Sequence, residues 1–274
     1  MKILRSLFAL CCVLAAFSGM ARAECPRIVS QSPYLTQALL WLGRGDCLVG
    51  VSRYDHEWPD LPRTGGVLDP DAEAIARLRP DLWIVSNWAE AATLDAATPA
   101  GATRVEVDGF RSLADAEALL VTLAEKSAAG AGATEKIAAF GRDWRAAAAR
   151  IAPLAQKQRV LVVSTCMEMP FSFGRGHVIG DVFVQSGFDL VETAPKLRHL
   201  VAGAEIPDLD TLLAQTRPDL VFALTTESAE YCRMAAPHSA ARVIPLDGSA
   251  FVHPGAGLLR AFTEIETALT QAKP

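Results

Sequence analysis

The residues of this chain with most chemistry to offer sit in short segments that follow apolar, strand-like runs. These segments are Ser32-Pro33-Tyr34, Tyr54-Asp55-His56-Glu57-Trp58, Asn87-Trp88, Cys166 to Phe173, Thr225 to Cys232 and Phe251-Val252-His253. Aromatic residues make up only 7% of the chain, yet Tyr54, Trp58, Trp88, Phe171, Phe173 and Phe251 all share this address. In open α/β sheets ligands bind beyond the carboxyl ends of strands. Aromatic faces gathered there would wall a wide, flat-sided cleft for a large planar or macrocyclic ligand, with a few polar groups setting its orientation. Tyr34, His56 and His253 complete the candidate ligand set, and an imidazole at His56, His177 or His253 could serve a chelated metal as an axial ligand.

Sulfur suggests a different chemistry. Cys166-Met167-Glu168-Met169 and Cys232-Arg233-Met234 fall in the second half of the chain, with His177 and His238 nearby. Thiolates and thioethers suit copper(I), and Cys with His suits zinc. The alternative metal set is therefore Cys166, Met169, Cys232 and His238. Against it stands a Cys166–Cys232 disulfide clamping two loops, with the methionines as adaptable apolar filler. Catalytic patterns are missing: there is no Gly-x-Ser-x-Gly elbow and no His-Glu-x-x-His helix. Gly174-Arg175-Gly176 lacks the Lys-Ser/Thr of a phosphate-binding loop, and the carboxylates follow helix starts rather than converging as an acid–base pair. The expectation is a binding protein, not an enzyme.

The elements that must position these residues alternate between strand and helix. Two stretches repeat one unit: Leu68 to Ser86 and Ile206 to Leu224 each read as a short acidic-headed helix, then Arg-Pro-Asp-Leu, then an apolar strand. Proline ends each helix, because it lacks an N–H and disfavours helix at the preceding residue. The copies lie 138 residues apart, from Asp81 to Asp219, which points to two similar lobes. Pro26 to Ser30 and Cys47 to Ser52 read as the first two strands, around a helix that presents Leu35, Ala38, Leu39 and Leu42. Cys25 and Cys47 then start neighbouring parallel strands, which makes a Cys25–Cys47 disulfide natural. Arg104 to Val107 is a further strand and Ser112 to Lys126 a helix. From Thr134 the stripe Ile137, Phe140, Trp144, Ala148, Ile151 predicts a helix of roughly 18 residues, about 27 Å long. Strands at Arg159 to Thr165 and Arg242 to Leu246, a helix from Val178 to Ser186 and a last helix from about Gly257 to Ala272 complete the second half. The expected fold is α/β: two Rossmann-like lobes with parallel sheets, joined by one long helix, with the cleft between them.

Lys2 and Arg5 precede an apolar run from Leu7 to Phe17, and Ala21-Arg22-Ala23 is a small-x-small cleavage signature. The reading is a secretory signal peptide over 1–23, cut after Ala23; the run is short for a membrane span. Residues 1–23 hold three of the 26 Lys and Arg and none of the 31 Asp and Glu, so 23 bases and 31 acids remain, a net charge of −8. That balance argues against nucleic acid, which needs a basic footprint. Cys25, Cys47, Cys166 and Cys232 remain, an even count that in an exported chain favours disulfides. The division expected is a first lobe over 24–126, a linking helix over 127–156 and a second lobe over 157–274.

With these residues in view, the chain resembles the periplasmic solute-binding proteins for cobalamin and ferric siderophores. The resemblance is carried by Arg27-Ile28-Val29-Ser30-Gln31-Ser32-Pro33, Leu48-Val49-Gly50-Val51-Ser52 and Ala74-Ile75-Ala76-Arg77-Leu78-Arg79-Pro80-Asp81-Leu82. In the second half it rests on Gly174-Arg175-Gly176-His177-Val178-Ile179-Gly180-Asp181, Arg217-Pro218-Asp219-Leu220 and Val243-Ile244-Pro245-Leu246-Asp247. It implies a periplasmic, monomeric receptor with small closure motions and no covalently bound cofactor, whose ligand is a cobalt- or iron-containing chelate; haem is an alternative. It also implies an ABC transporter permease, with its ATPase, as the partner. The family presents one acid per lobe to the permease: Glu73 matches in the first lobe, and Asp210 stands where Glu is usual in the second. Both acids also suit a helix N-terminus through its dipole. Cobalamin binders tend to place a stacking Trp before the opening helix, where this chain has Thr64-Gly65-Gly66-Val67.

Overall fold

The computed structural model describes residues 25–56, 58–164, 170–225 and 241–271. Its first lobe contains β1 (Ile28–Ser30), α1 (Pro33–Trp41), β2 (Leu48–Val51), α2 (Ala72–Leu78), β3 (Leu82–Ser86), α3 (Ala91–Ala97), β4 (Thr103–Val107) and α4 (Leu113–Lys126). The four strands form one parallel sheet in the order β2-β1-β3-β4. Its central strand β3 is buried throughout, as its unbroken apolar run requires. Cys25 and Cys47 are bonded, with their Cα atoms 5.4 Å apart, and so tie the starts of β1 and β2.

α5 (Ala131–Ala155) follows. It has 25 residues, about 37 Å at 1.5 Å per residue, against the 18 expected. It begins ahead of Thr134 and runs on past Ile151, with Gly132 and Pro153 each near an end. A glycine in the first turn gives up little, and a late proline forfeits one hydrogen bond. The buried stripe includes Ile137, Phe140, Trp144, Ala148 and Ile151. It packs against α4 of the first lobe and two helices of the second, so one apolar core runs through both lobes.

The second lobe contains β5 (Arg159–Ser164), β6 (Phe171–Phe173), α6 (Val178–Gln185), β7 (Asp189–Leu190), β8 (Leu197–His199), α7 (Leu209–Thr216), β9 (Leu220–Thr225), β10 (Arg242–Asp247) and α8 (Leu259–Gln271). The sheet runs β10-β9-β5-β6-β8, with β7 beside the start of β5. β10, β9 and β5 are parallel; β6 and β8 are antiparallel additions at the edge. The expected parallel sheet is thus the core of a mixed one. Phe171 to Phe173, read as loop, is a strand because it returns directly along the end of β5.

The duplicated unit matches in detail. Asp71 caps α2 by accepting from the Ala74 N–H (2.9 Å), and Asp208 caps α7 by accepting from the Thr211 N–H (2.8 Å). Arg79 and Arg217 end these helices in the left-handed region, at φ/ψ of 45°/60° and 46°/61°. An arginine at the start of the neighbouring strand serves each copy alike. Arg27 donates its backbone N–H to Asp81 (2.7 Å) and its guanidinium to the Leu78 and Arg79 carbonyls. Arg159 donates to Asp219 (2.9 Å) and to the Thr216 and Arg217 carbonyls. The Asp of Arg-Pro-Asp-Leu therefore sets strand register, and each arginine satisfies carbonyls that a helix end leaves unpaired.

Candidate ligand-binding cleft

A cavity of about 610 Å³ lies between the lobes, within the size range of small-molecule sites. The first lobe supplies Asn87 and Trp88 from the end of β3, and Asp108, Phe110 and Arg111 from the end of β4. The second supplies Phe171 and Phe173 from β6, His177 and Ile179 at the start of α6, and Lys196 and Leu197 at β8. Leu224, Phe251 and Val252 close the wall. Strand ends deliver these side chains because a parallel sheet directs its carboxyl ends to one side.

The rings form a continuous series across the lobes. Trp88 lies 4.9 Å from Phe110, Phe110 6.1 Å from His177, His177 5.0 Å from Phe173, and Phe173 5.2 Å from Phe171. Phe251 is stacked on the buried Phe183 at 6.1 Å. Phe110 is the bridge: its carbonyl accepts from the Val178 N–H of the second lobe (2.7 Å). Beside it the Leu113 N–H donates to Asp181 of α6 (2.8 Å). Gly109 approaches Pro254 so closely that an added Cβ would stand 3.3 Å from that ring. The segment 108–113 is thus held by both lobes.

Among the described lining residues apolar groups outnumber polar ones. Asp108 accepts from the Phe110 N–H (2.9 Å) and pairs with Arg111 (3.4 Å), which also pairs with Asp115 (2.8 Å). His177 caps α6, its Nδ1 accepting from the Ile179 N–H at 3.2 Å. Burial, aided by the nearby Lys196 charge and opposed by Asp108, lowers the His177 pKa to about 4. At neutral pH the ring is therefore uncharged and carries its proton on Nε2.

Of the candidate ligand residues, Trp88, Phe171, Phe173 and Phe251 come together at the cavity. Tyr34 lies beneath the wall, 2% exposed, with its ring 5.0 Å from Phe110 and 6.1 Å from Trp88. Burial pushes its phenol pKa well up, and the neighbouring Ser86 only partly offsets this. Tyr54, His56, Trp58 and His253 are not among the lining residues. Tyr54 is exposed beside Arg53, and Trp58 packs on the first-lobe core. Thr64 is buried, donating to Gln31 Oε1 (3.2 Å), so that turn offers the cleft no flat face. Cys166, Met169, Cys232 and His238 lie outside the described residues. Among the described residues no group of three or more His, Cys, Asp or Glu could hold a metal ion. Glu73 and Asp210 are exposed in the first turns of α2 and α7, and Glu73 pairs with Arg77.

Sequence reading missed Asp108, Phe110, Arg111, Lys196 and Leu197. The first three were within reach, since Asp108-Gly109-Phe110-Arg111 directly follows the strand Arg104 to Val107. The other two border β8, which has no apolar run to announce it.

The sequence model of the periplasmic binding proteins matches residues 28–236. The chain belongs to the periplasmic binding protein family. This is a family of solute-binding receptors that serve ABC importers, not of enzymes. Three solved structures place its fold. The periplasmic haem-binding protein HutB of Vibrio cholerae shares 18% identity at a TM-score of 0.71, over 91% of this chain and 99% of that one. A periplasmic haem-binding protein from Pseudomonas aeruginosa shares 22% at 0.71, over 91% and 95%. The periplasmic vitamin B12-binding protein BtuF of Vibrio cholerae shares 21% at 0.67, over 91% and 99%. No curated protein sequence is matched. Among the described residues of this periplasmic binding protein, no helix is long and apolar enough to cross a membrane.

Proposed function

We propose that this periplasmic binding protein, after cleavage behind Ala23, captures a metal chelate (haem, a corrinoid or a ferric siderophore) between its lobes and hands it to a permease. The observation that carries this reading is the series of rings from Trp88 through Phe110, His177 and Phe173 to Phe171, with Phe251 and aliphatic side chains also lining the cavity. Such a wall rewards a ligand with two broad apolar faces and is wasted on a small polar solute. Structural relatives titled as haem- and B12-binding proteins have the same fold.

Absorption titration of the mature protein with haemin, cyanocobalamin and a ferric catecholate tests the reading. One of the three is expected to bind at micromolar concentration or tighter, on the order of 8 kcal/mol. Removing Trp88 and Phe171 together by alanine substitution is expected to weaken that binding about tenfold or more, since aromatic contacts contribute roughly 0.5–1.5 kcal/mol each beyond buried area. Failure of all three chelates, or an unchanged double variant, would count against it.

Glu73 and Asp210 lie exposed in the first turns of the paired helices, one on each lobe, and carry the proposed docking role. Reversing Glu73 (Glu73→Arg) is expected to cut cellular uptake severalfold while leaving ligand affinity in solution intact. Asp210→Arg should act in the same direction. A loss of affinity in either variant would contradict docking.

A further inference from the structure

In an acidic chain, the described lining of the cleft holds more cations than anions. Overall, 31 acids outnumber 26 bases, yet among the described residues the ionised groups lining the cavity are Arg111, Lys196 and Asp108. Asp108 is occupied by Arg111 and the Phe110 N–H, and Arg111 is shared with Asp115. Lys196 has no such compensation: it enters no ion pair among the described residues. Its position is nonetheless set, because the Gly174 N–H donates to the Lys196 carbonyl (2.6 Å) and the Gly176 N–H to the Pro195 carbonyl (2.7 Å). An exposed ammonium with no ion-pair partner, held at the cavity wall by its own backbone, is available to meet an anion that enters the cleft.

His177 stands beside it. With Nδ1 engaged by the Ile179 N–H, the ring keeps its proton on Nε2 and offers a donor, not a lone pair. Phe110 and Phe173 flank the ring at 6.1 and 5.0 Å and hold its orientation. A neutral His locked in this tautomer is a poor metal ligand. It is a good donor to a carboxylate that Lys196 has already drawn in.

We propose that Lys196 and His177 form a carboxylate subsite at the edge of the cleft, so that the chelate carried is one with carboxylate side arms, of porphyrin type, rather than an amide-edged corrinoid. The inference rests on the chelate reading of the cavity. In this arrangement the aromatic wall takes the faces of the ring, and Lys196 and His177 take its acidic rim.

Haemin and its dimethyl ester separate the two claims, since they share ring and metal and differ only in the carboxylates. The mature protein is expected to bind haemin about tenfold or more tighter than the ester, the usual worth of a charge-assisted hydrogen bond. Lys196→Met, at an exposed side chain whose loss should not disturb folding, should lose about that factor for haemin and nothing for the ester. His177→Asn keeps a helix-capping side chain; it should weaken haemin binding without moving the absorption bands of the bound iron. Equal affinity for haemin and ester, or an unaffected Lys196→Met, overturns the subsite. Shifted bands in His177→Asn would make His177 an iron ligand and overturn its part. Binding of cyanocobalamin or ferric catecholate, and of neither porphyrin, sinks the subsite and leaves the chelate reading standing. No binding of any of them sinks both.

Discussion

Glu192→Ala is expected to remove about 4 kcal/mol of folding stability, the scale for breaking a buried ion pair from one side. The Glu192 side chain is fully buried, and its carboxylate is saturated with donors. Oε1 accepts from Arg198 at 3.0 and 2.9 Å and from the Ala194 N–H at 2.7 Å, while Oε2 accepts from Ser172. Ser172 and Arg198 face each other across β6 and β8. The variant therefore strands a guanidinium, a hydroxyl and an N–H at once, and loosens the edge that carries Lys196 and Leu197. Chemical denaturation reads the loss, and a cost below about 1 kcal/mol would mean that water replaces the carboxylate freely.

The same group sets a pH dependence. Burial alone would raise the Glu192 pKa, but hydrogen bonds from Arg198, Ala194 and Ser172, with the Arg198 charge, outweigh it and hold it below the usual 4.5. A depressed folded-state value means that the unfolded chain takes up the proton first as pH falls. The Glu192 contribution is fully present above 4.5 and is lost as pH drops through the lowered folded value. The stability gap between the native protein and Glu192→Gln should accordingly be constant from pH 7 to about 5 and narrow below it. A gap independent of pH down to about 3 would show that the charge contributes nothing.

Gly174→Ala is expected to cost about 4 kcal/mol or to prevent folding of the second lobe, at the severe end of overpacking. A Cβ there would stand 1.8 Å from the Ala194 carbonyl oxygen and 2.9 Å from its carbon. Both are backbone atoms, so no change of rotamer relieves the contact. Gly180, in the first turn of α6, approaches the Gly174 carbonyl with the same tightness: its Cβ would meet that oxygen at 2.0 Å. The turn at Gly174 is thus wedged between the strand edge behind Lys196 and the helix headed by His177, and a shift there would move both. Gly132→Ala is the control. Nothing lies within 4 Å of its Cβ position, and a gain of about 0.5 kcal/mol is expected from a stiffer unfolded chain. Equal effects at the two glycines would refute the packing argument.

Much of this fold was legible because its signals are local. Apolar runs alternating with helix-period stripes named the elements, and the Arg-Pro-Asp-Leu units marked the duplication. Cys25 and Cys47 found each other because strands that begin together in a parallel pair begin close together. α3 and β8 escaped notice; at seven and three residues they are too short to show a period. The length of α5 was underestimated because its stripe of large apolar residues starts and stops inside the helix, whose ends bury only small residues such as Ala133 and Ala155.

The address of the site was legible too, but not its membership. Trp88, Phe171, Phe173 and Phe251 follow or border strand ends and reach the cavity, while Tyr54 and Trp58 have the same kind of address and do not. Tyr34 turned under the wall as packing for Phe110 and Trp88. By itself the sequence determined two α/β lobes, their duplication and a site somewhere beyond their strand ends, because periodicity and capping act within a few residues. Only the tertiary structure decided which loops meet. α5 and the shared segment 108–113 orient one lobe against the other. That orientation brings Phe110 to His177 and leaves Lys196 at the edge of the cleft.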